Sequence, residues 1–393
     1  MPDRAARLHT GLLSGASYAG MFVFGIVMAL LGAVLPALSG RLQFAIADIG
    51  SLFLVMNFGM LVCSLFIGVA MDRNGIKPPL FAGPLLVAAA LVLITRAAVF
   101  RDLMPAVLLL GIGGGALNAA TNTLVADLHD DPKRKSSALN VLGVFYGVGA
   151  LFLPFVISIL LDRFGVDRLL WSAAVLCAGV GATAAFMAFP PAKQAHALAF
   201  GDMLALARLP IVIAMAALLF CLSGVEFTMG GFASTYLTRG MGLTVGAASS
   251  VLAGYWAALM TARIVLSRVL LGADPNSVVL LSAVAACVGA AFTAAATTPA
   301  AAAIGIVFTG FALSGIFPTV LGIAGARFES RSGTVFGLLL TFALTGGMTV
   351  PWLAGQIAGA AGLRWVFAVV AVAFAAIAGL SRVVARMLAE PRP

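Results

Sequence analysis

Twelve runs of about 20 apolar residues follow one another through this 393-residue chain, near 11–38, 48–70, 79–97, 104–126, 137–161, 169–189, 207–237, 246–270, 278–296, 301–324, 333–358 and 365–388. A helix rises about 1.5 Å per residue, so each run can cross a hydrocarbon layer roughly 30 Å thick. Inside lipid a chain must satisfy its backbone hydrogen bonds internally, which leaves helices as the form for runs of this length. The reading is an all-α membrane protein with twelve transmembrane helices. Composition agrees, with 62% hydrophobic and 9% charged residues, against roughly 25% charged in soluble domains. The first run follows Arg4 and Arg7 but exceeds the apolar core of about 7–15 residues expected of a cleaved signal, so it is read as the first span.

Lys and Arg placement orients the chain. With the N-terminus cytoplasmic, sixteen of the 23 basic residues fall on that side, among them Arg73, Lys77, Arg263, Arg268, Arg327 and Arg386, and seven on the other. That bias is the positive-inside pattern. It predicts an integral protein of the bacterial inner (plasma) membrane with both termini cytoplasmic. The net charge of +9 then reports topology and contact with anionic lipid rather than nucleic acid. Cys63, Cys177, Cys221 and Cys287 all fall inside predicted helices without paired spacing, and read as packing residues. No nucleophile–base pair, metal set or cofactor motif is present, so neither enzymatic chemistry nor a cofactor is expected.

The longest internal hydrophilic connection lies near the midpoint. It divides the chain into a six-helix bundle at 1–189, a cytoplasmic linker at 190–206 and a second six-helix bundle at 207–393. The halves repeat each other at an offset near 197. Gly25 corresponds to Gly224, Gly59 to Gly254, Arg73 to Arg268, Gly113 to Gly310, Gly149 with Pro154 to Gly346 with Pro351, and Trp171 to Trp365. Two parallel, pseudo-symmetric bundles are a recurring transporter plan.

The loop after the second run reads Gly68-Val-Ala-Met-Asp72-Arg73-Asn-Gly75-Ile-Lys77. This resembles the signature G-x-x-x-D-R-x-G-x-K of the major facilitator superfamily. Three further stretches resemble its fucose–glucose–galactose proton symporter branch: Phe220 to Leu237, Tyr255 to Arg268, and Gly113 to Asn122 with Ala138-Leu139-Asn140 and Phe145 to Gly149. The resemblance implies the major facilitator fold, alternating access, a monomer, and a small-molecule substrate moved with protons. Symporters of that branch use acids in helices 1 and 4, where this chain has Val27, Asn118 and Asn122. Coupling through this chain would therefore rest on Glu226 alone.

Glu226 is the one carboxylate inside an apolar run, 211–237. A charge at mid-bilayer costs about 2.5–3.5 kcal/mol on insertion scales, so such a residue marks function. Low dielectric favours the protonated acid, and three roles stay open: proton carrier, substrate partner or structural partner. Asn118 and Asn122, spaced i, i+4, share a helix face and suit hydroxylated solutes. Asn57, Gln356, Tyr255, Trp256 and Trp352 are further candidates for substrate contact, the aromatics by stacking. Gly68, Asp72, Arg73, Gly75, Lys77, Arg263 and Arg268 are assigned to gating and the loop motif, with Gly68 permitting close helix approach. These readings converge on uptake of a small neutral polar solute, a sugar or polyol, coupled to protons. The alternative is proton-driven efflux of an apolar or amphiphilic compound. The G-P-x-x-G-G pattern of exporters is missing at Gly149 to Pro154.

Overall fold

The computed structural model describes residues 2–128, 132–190, 205–269, 273–328 and 332–389, and these form helices and short connections with no strand. We number the helices α1 Pro2–Leu42, α2 Ile46–Asn74, α3 Lys77–Arg96 and α4 Leu103–Asp127. The continuous element Pro132–Ala185 bends at Gly165 into α5 (132–164) and α6 (166–185). Gly165 has φ 74° and ψ 160°, a conformation open to glycine and strained for other residues. A turn made by one residue explains why two apolar runs appear as one helix. The series continues with α7 Pro210–Thr235, α8 Val245–Val269, α9 Pro275–Ala295, α10 Pro299–Arg327, α11 Ser332–Ala361 and α12 Arg364–Ala389. Within α10 the helix is interrupted at Ser314 and Gly315. Pro318 lacks the N–H that would bond the Ser314 carbonyl, and a break there is the expected response.

Contact clustering separates two compact units. The first holds Met1–Phe44 and Val55–His196; the second holds Ala45–Leu54 and Ala197–Pro393. Most of the expected linker at 190–206 lies outside the described residues.

In the first unit α1 packs lengthwise on α5. A Cβ on Gly25 would strike the Tyr146 carbonyl, and one on Gly149 the Phe22 carbonyl. Lipid tails are as apolar as leucine, so helices in a membrane are held by close packing of small residues rather than by the hydrophobic effect. Rings flank the contact, Phe22 with Phe152 at 5.4 Å and Tyr18 stacked on Phe145 at 4.8 Å. The second unit repeats this contact between α7 and α11, where Gly224 meets Val350 and the Gly346 carbonyl, and Gly346 meets the Phe220 carbonyl. The α2–α4 approach, Gly111 over the Met56 carbonyl, recurs as α8–α10, Gly310 over the Tyr255 carbonyl. Contact equivalence therefore pairs Gly310 with Gly111 at an offset of 199, while Gly113 packs against Gly83 on α3.

The α2–α3 connection follows from its residues. Gly75, at φ 80°, closes α2 by donating its N–H to the Met71 carbonyl (2.8 Å). This is the left-handed cap that glycine favours. Pro at the first turn then starts α3, where the missing N–H has no helical partner to lose.

Candidate functional site

Glu226 stands sixteen residues after Pro210 in α7, about 24 Å along the axis and about 14 Å before Thr235 at 1.5 Å per residue. Its side chain is half-buried in a helix most of whose residues are buried. Four residues on, Gly230 leaves room for the indole of Trp256, whose Cζ2 lies 3.2 Å from where a Cβ would stand. Trp256 reaches α7 while its neighbour Tyr255 lies against Gly310 of α10, and the two rings meet edge to face at 5.2 Å. Tyr255 is 0% and Trp256 1% exposed. Glycines and each other occupy their faces, so among the aromatic candidates only Trp352, 40% exposed, presents a ring for stacking.

Arg263 lies two turns beyond Tyr255 in α8. From sequence Arg263 was assigned to gating; it and Glu226 each have an interaction partner in the structure.

Buried hydroxyls in helices ordinarily bond back to a carbonyl three or four residues earlier. Thr228 does so to Gly224 (2.7 Å), Thr293 to Gly289 (2.9 Å) and Thr309 to Gly305 (2.7 Å). Among the described residues, the buried hydroxyls without any hydrogen-bond partner are Ser234, Thr235, Ser249 and Tyr255. All four belong to α7 and α8. Sequence reasoning passed over the first three because nothing local separates a back-bonded serine from an unsatisfied one. The last turn of α7 also widens to a five-residue π turn at Tyr236–Gly240, closed by Met241 N–H on the Tyr236 carbonyl (3.1 Å). Phe53 covers Gly231 and meets Phe227 and Phe232, each with ring centroids 6.4 Å away; this residue too carried no sequence signal beyond its apolarity.

The first unit holds a separate polar group. Asn122 donates its amide N–H to the Asn118 carbonyl (2.8 Å) and to Asn118 Oδ1 (3.1 Å). The shared face expected from i, i+4 spacing is present. The bridge uses the Asn122 amide nitrogen, leaving the Asn118 amide nitrogen and Asn122 Oδ1 to other partners. Asn57 is fully buried on α2 and engaged with a neighbour. Gln356 is exposed on α11.

In the loop motif, Lys77 donates from Nζ to the Ala185 carbonyl (2.8 Å). It thereby satisfies the end of α6, where cations are favoured. Asp72 and Arg73 make no side-chain hydrogen bond or ion pair with described residues. Gly68 was expected at a tight helix contact, but a Cβ there would meet nothing within 4 Å. Its small size is therefore not used for packing in this structure. The side chains of Arg268 and Asn140 lie outside the described residues. Cys63, Cys221 and Cys287 are free and half-buried and Cys177 free and buried, consistent with packing roles.

The sequence profile of the Major Facilitator Superfamily matches residues 18–275, and the chain belongs to that superfamily. A TsgA homolog of Erwinia tasmaniensis is 24% identical over 358 residues, covering 90% of this chain and 89% of that protein. The crystal structure of the nucleoside transporter NupG superposes with a TM-score of 0.79 at 14% identity, covering 95% of this chain and 99% of that one. That of the E. coli fucose:proton symporter FucP gives 0.68 at 19% identity, covering 96% and 99%. At such identities these structures establish the fold, including its likeness to the fucose symporter.

Proposed function

We propose that this transporter carries a small neutral polar solute of the sugar or polyol class by alternating access, and that protons drive it through Glu226. The observation that carries this reading is Glu226 itself, a half-buried carboxylate about 24 Å along α7 by helix rise. A proton taken up or released there changes the charge held inside the membrane, a change the surrounding helices feel. The Asn118–Asn122 pair supplies unspent amide donors and an acceptor suited to hydroxyl groups. The Lys and Arg bias favours a bacterial inner membrane location with both termini cytoplasmic.

Replacing Glu226 with Gln keeps size and hydrogen bonding while removing the titration. In proteoliposomes the variant should lose uphill, proton-driven accumulation by at least about tenfold, the factor for 1.4 kcal/mol, and retain solute exchange down a gradient. Undiminished accumulation would reject the coupling role. If no sugar or polyol is accumulated by the wild type and the expressing strain instead gains resistance to apolar compounds, the efflux reading replaces this one.

A further inference from the structure

Apart from the group around Glu226, a cavity of about 550 Å³ opens where the start of α9, the second half of α10 and the end of α12 converge. Its volume lies in the range of small-molecule sites, about 300–1,000 Å³. Pro275 and Val278 of α9, Ile323 of α10 and Leu388 of α12 form apolar wall. Asn276, Thr319 and Arg327 supply the polar side. Arg327 makes no ion pair or hydrogen bond with a described residue. The one acid described at the rim, Asp274, is turned to the helix it caps, accepting from the Ser277 N–H and hydroxyl at 2.9 Å each. Its charge is thus directed to the α9 terminus.

We propose that this cavity is a binding site for an anionic phospholipid, with the phosphate at Arg327 and the first part of an acyl chain along Val278, Ile323 and Leu388. Three observations select that occupant. The cavity lies at helix ends, the level at which headgroups meet a membrane protein. It is amphipathic, with one cation on an apolar wall, as a headgroup joined to a chain requires. A second cation, Arg386, stands in the last turn of α12, two residues from Leu388 of the wall. Gly322 keeps the cavity open, since a Cβ there would meet nothing within 4 Å. A larger residue at that position projects into the space the cavity occupies.

The test uses the full chain purified in mild detergent, with retained lipid counted by native mass spectrometry. Wild type should hold phosphatidylglycerol over phosphatidylcholine of the same chains by about fivefold, the factor one arginine near anionic lipid is worth. Arg327→Gln should abolish that preference. Gly322→Phe should remove retention of both lipids while the melting temperature stays at the wild-type value. Equal retention of the two lipids by wild type would overturn the proposal, as would wild-type retention by both variants. Displacement of the lipid by inorganic phosphate at equal concentration would show a free-phosphate site and equally overturn it. None of these readouts depends on which solute is carried.

Discussion

A phenol without a hydrogen-bond partner in a fully buried position, as at Tyr255, costs about 1–3 kcal/mol of desolvation. A residue kept only for packing would be better served by Phe. Tyr255→Phe should therefore leave the melting temperature unchanged or raise it, while weakening apparent solute affinity several-fold. Unaltered affinity would take Tyr255 out of the transport group. Gly165 offers a second residue-level check. Its positive φ is strained for other residues and nothing crowds its Cβ, so Gly165→Ala should lower stability by about 1–2 kcal/mol, read as a fall in melting temperature. Glu226 stood out as a candidate from its setting alone, since a carboxylate in an apolar run is costly to keep. The unsatisfied hydroxyls of Ser234, Thr235 and Ser249 did not, because their state depends on what the neighbouring helices offer.

Helices in this protein meet through backbone rather than through large side chains. The Gly25–Gly149 contact of α1 with α5 and the Gly224–Gly346 contact of α7 with α11 are each closed to any Cβ. Gly149→Leu and Gly346→Leu should each destabilise by about 1–3 kcal/mol or more through overpacking, read as a lower melting temperature in detergent. Gly322→Leu, facing open space, is the control that should not. The glycine repeat was visible as a recurring spacing. Its pairing was only partly visible, because spacing along one strand of sequence does not say which carbonyl stands opposite. Gly310 accordingly matches Gly111 by contact. Capping gives an electrostatic test at the start of α9. Asp274 accepts from the Ser277 backbone N–H first and its hydroxyl second, which holds its carboxyl below the usual aspartate range. A lowered value means that the cap stabilises above the unfolded value of about 3.9 and loses that contribution as pH falls through the folded value. The melting-temperature gap between wild type and Asp274→Ala should be present at neutral pH and close as the pH falls through the lowered folded value.

For the whole molecule, the Lys and Arg bias proposes an orientation that can be tested. Reporters active only in the cytoplasm, fused separately to each terminus, should both be active; a silent one would reverse the topology drawn from the Lys and Arg bias. The expected twelve spans and the observed helices agree to within a few residues. They differ where one glycine turn joins α5 to α6 and where Pro318 breaks α10. Both are local backbone events that an apolar run does not report. Helix number, membrane class and superfamily were readable from sequence, because run length, composition and a loop motif are local properties of a chain solvated by lipid. Which glycine lies beneath which carbonyl, which buried hydroxyls go unsatisfied, and the cavity beside Arg327 were decided by tertiary structure alone. Each depends on atoms brought together from helices distant in sequence, and packing between helices sets those meetings.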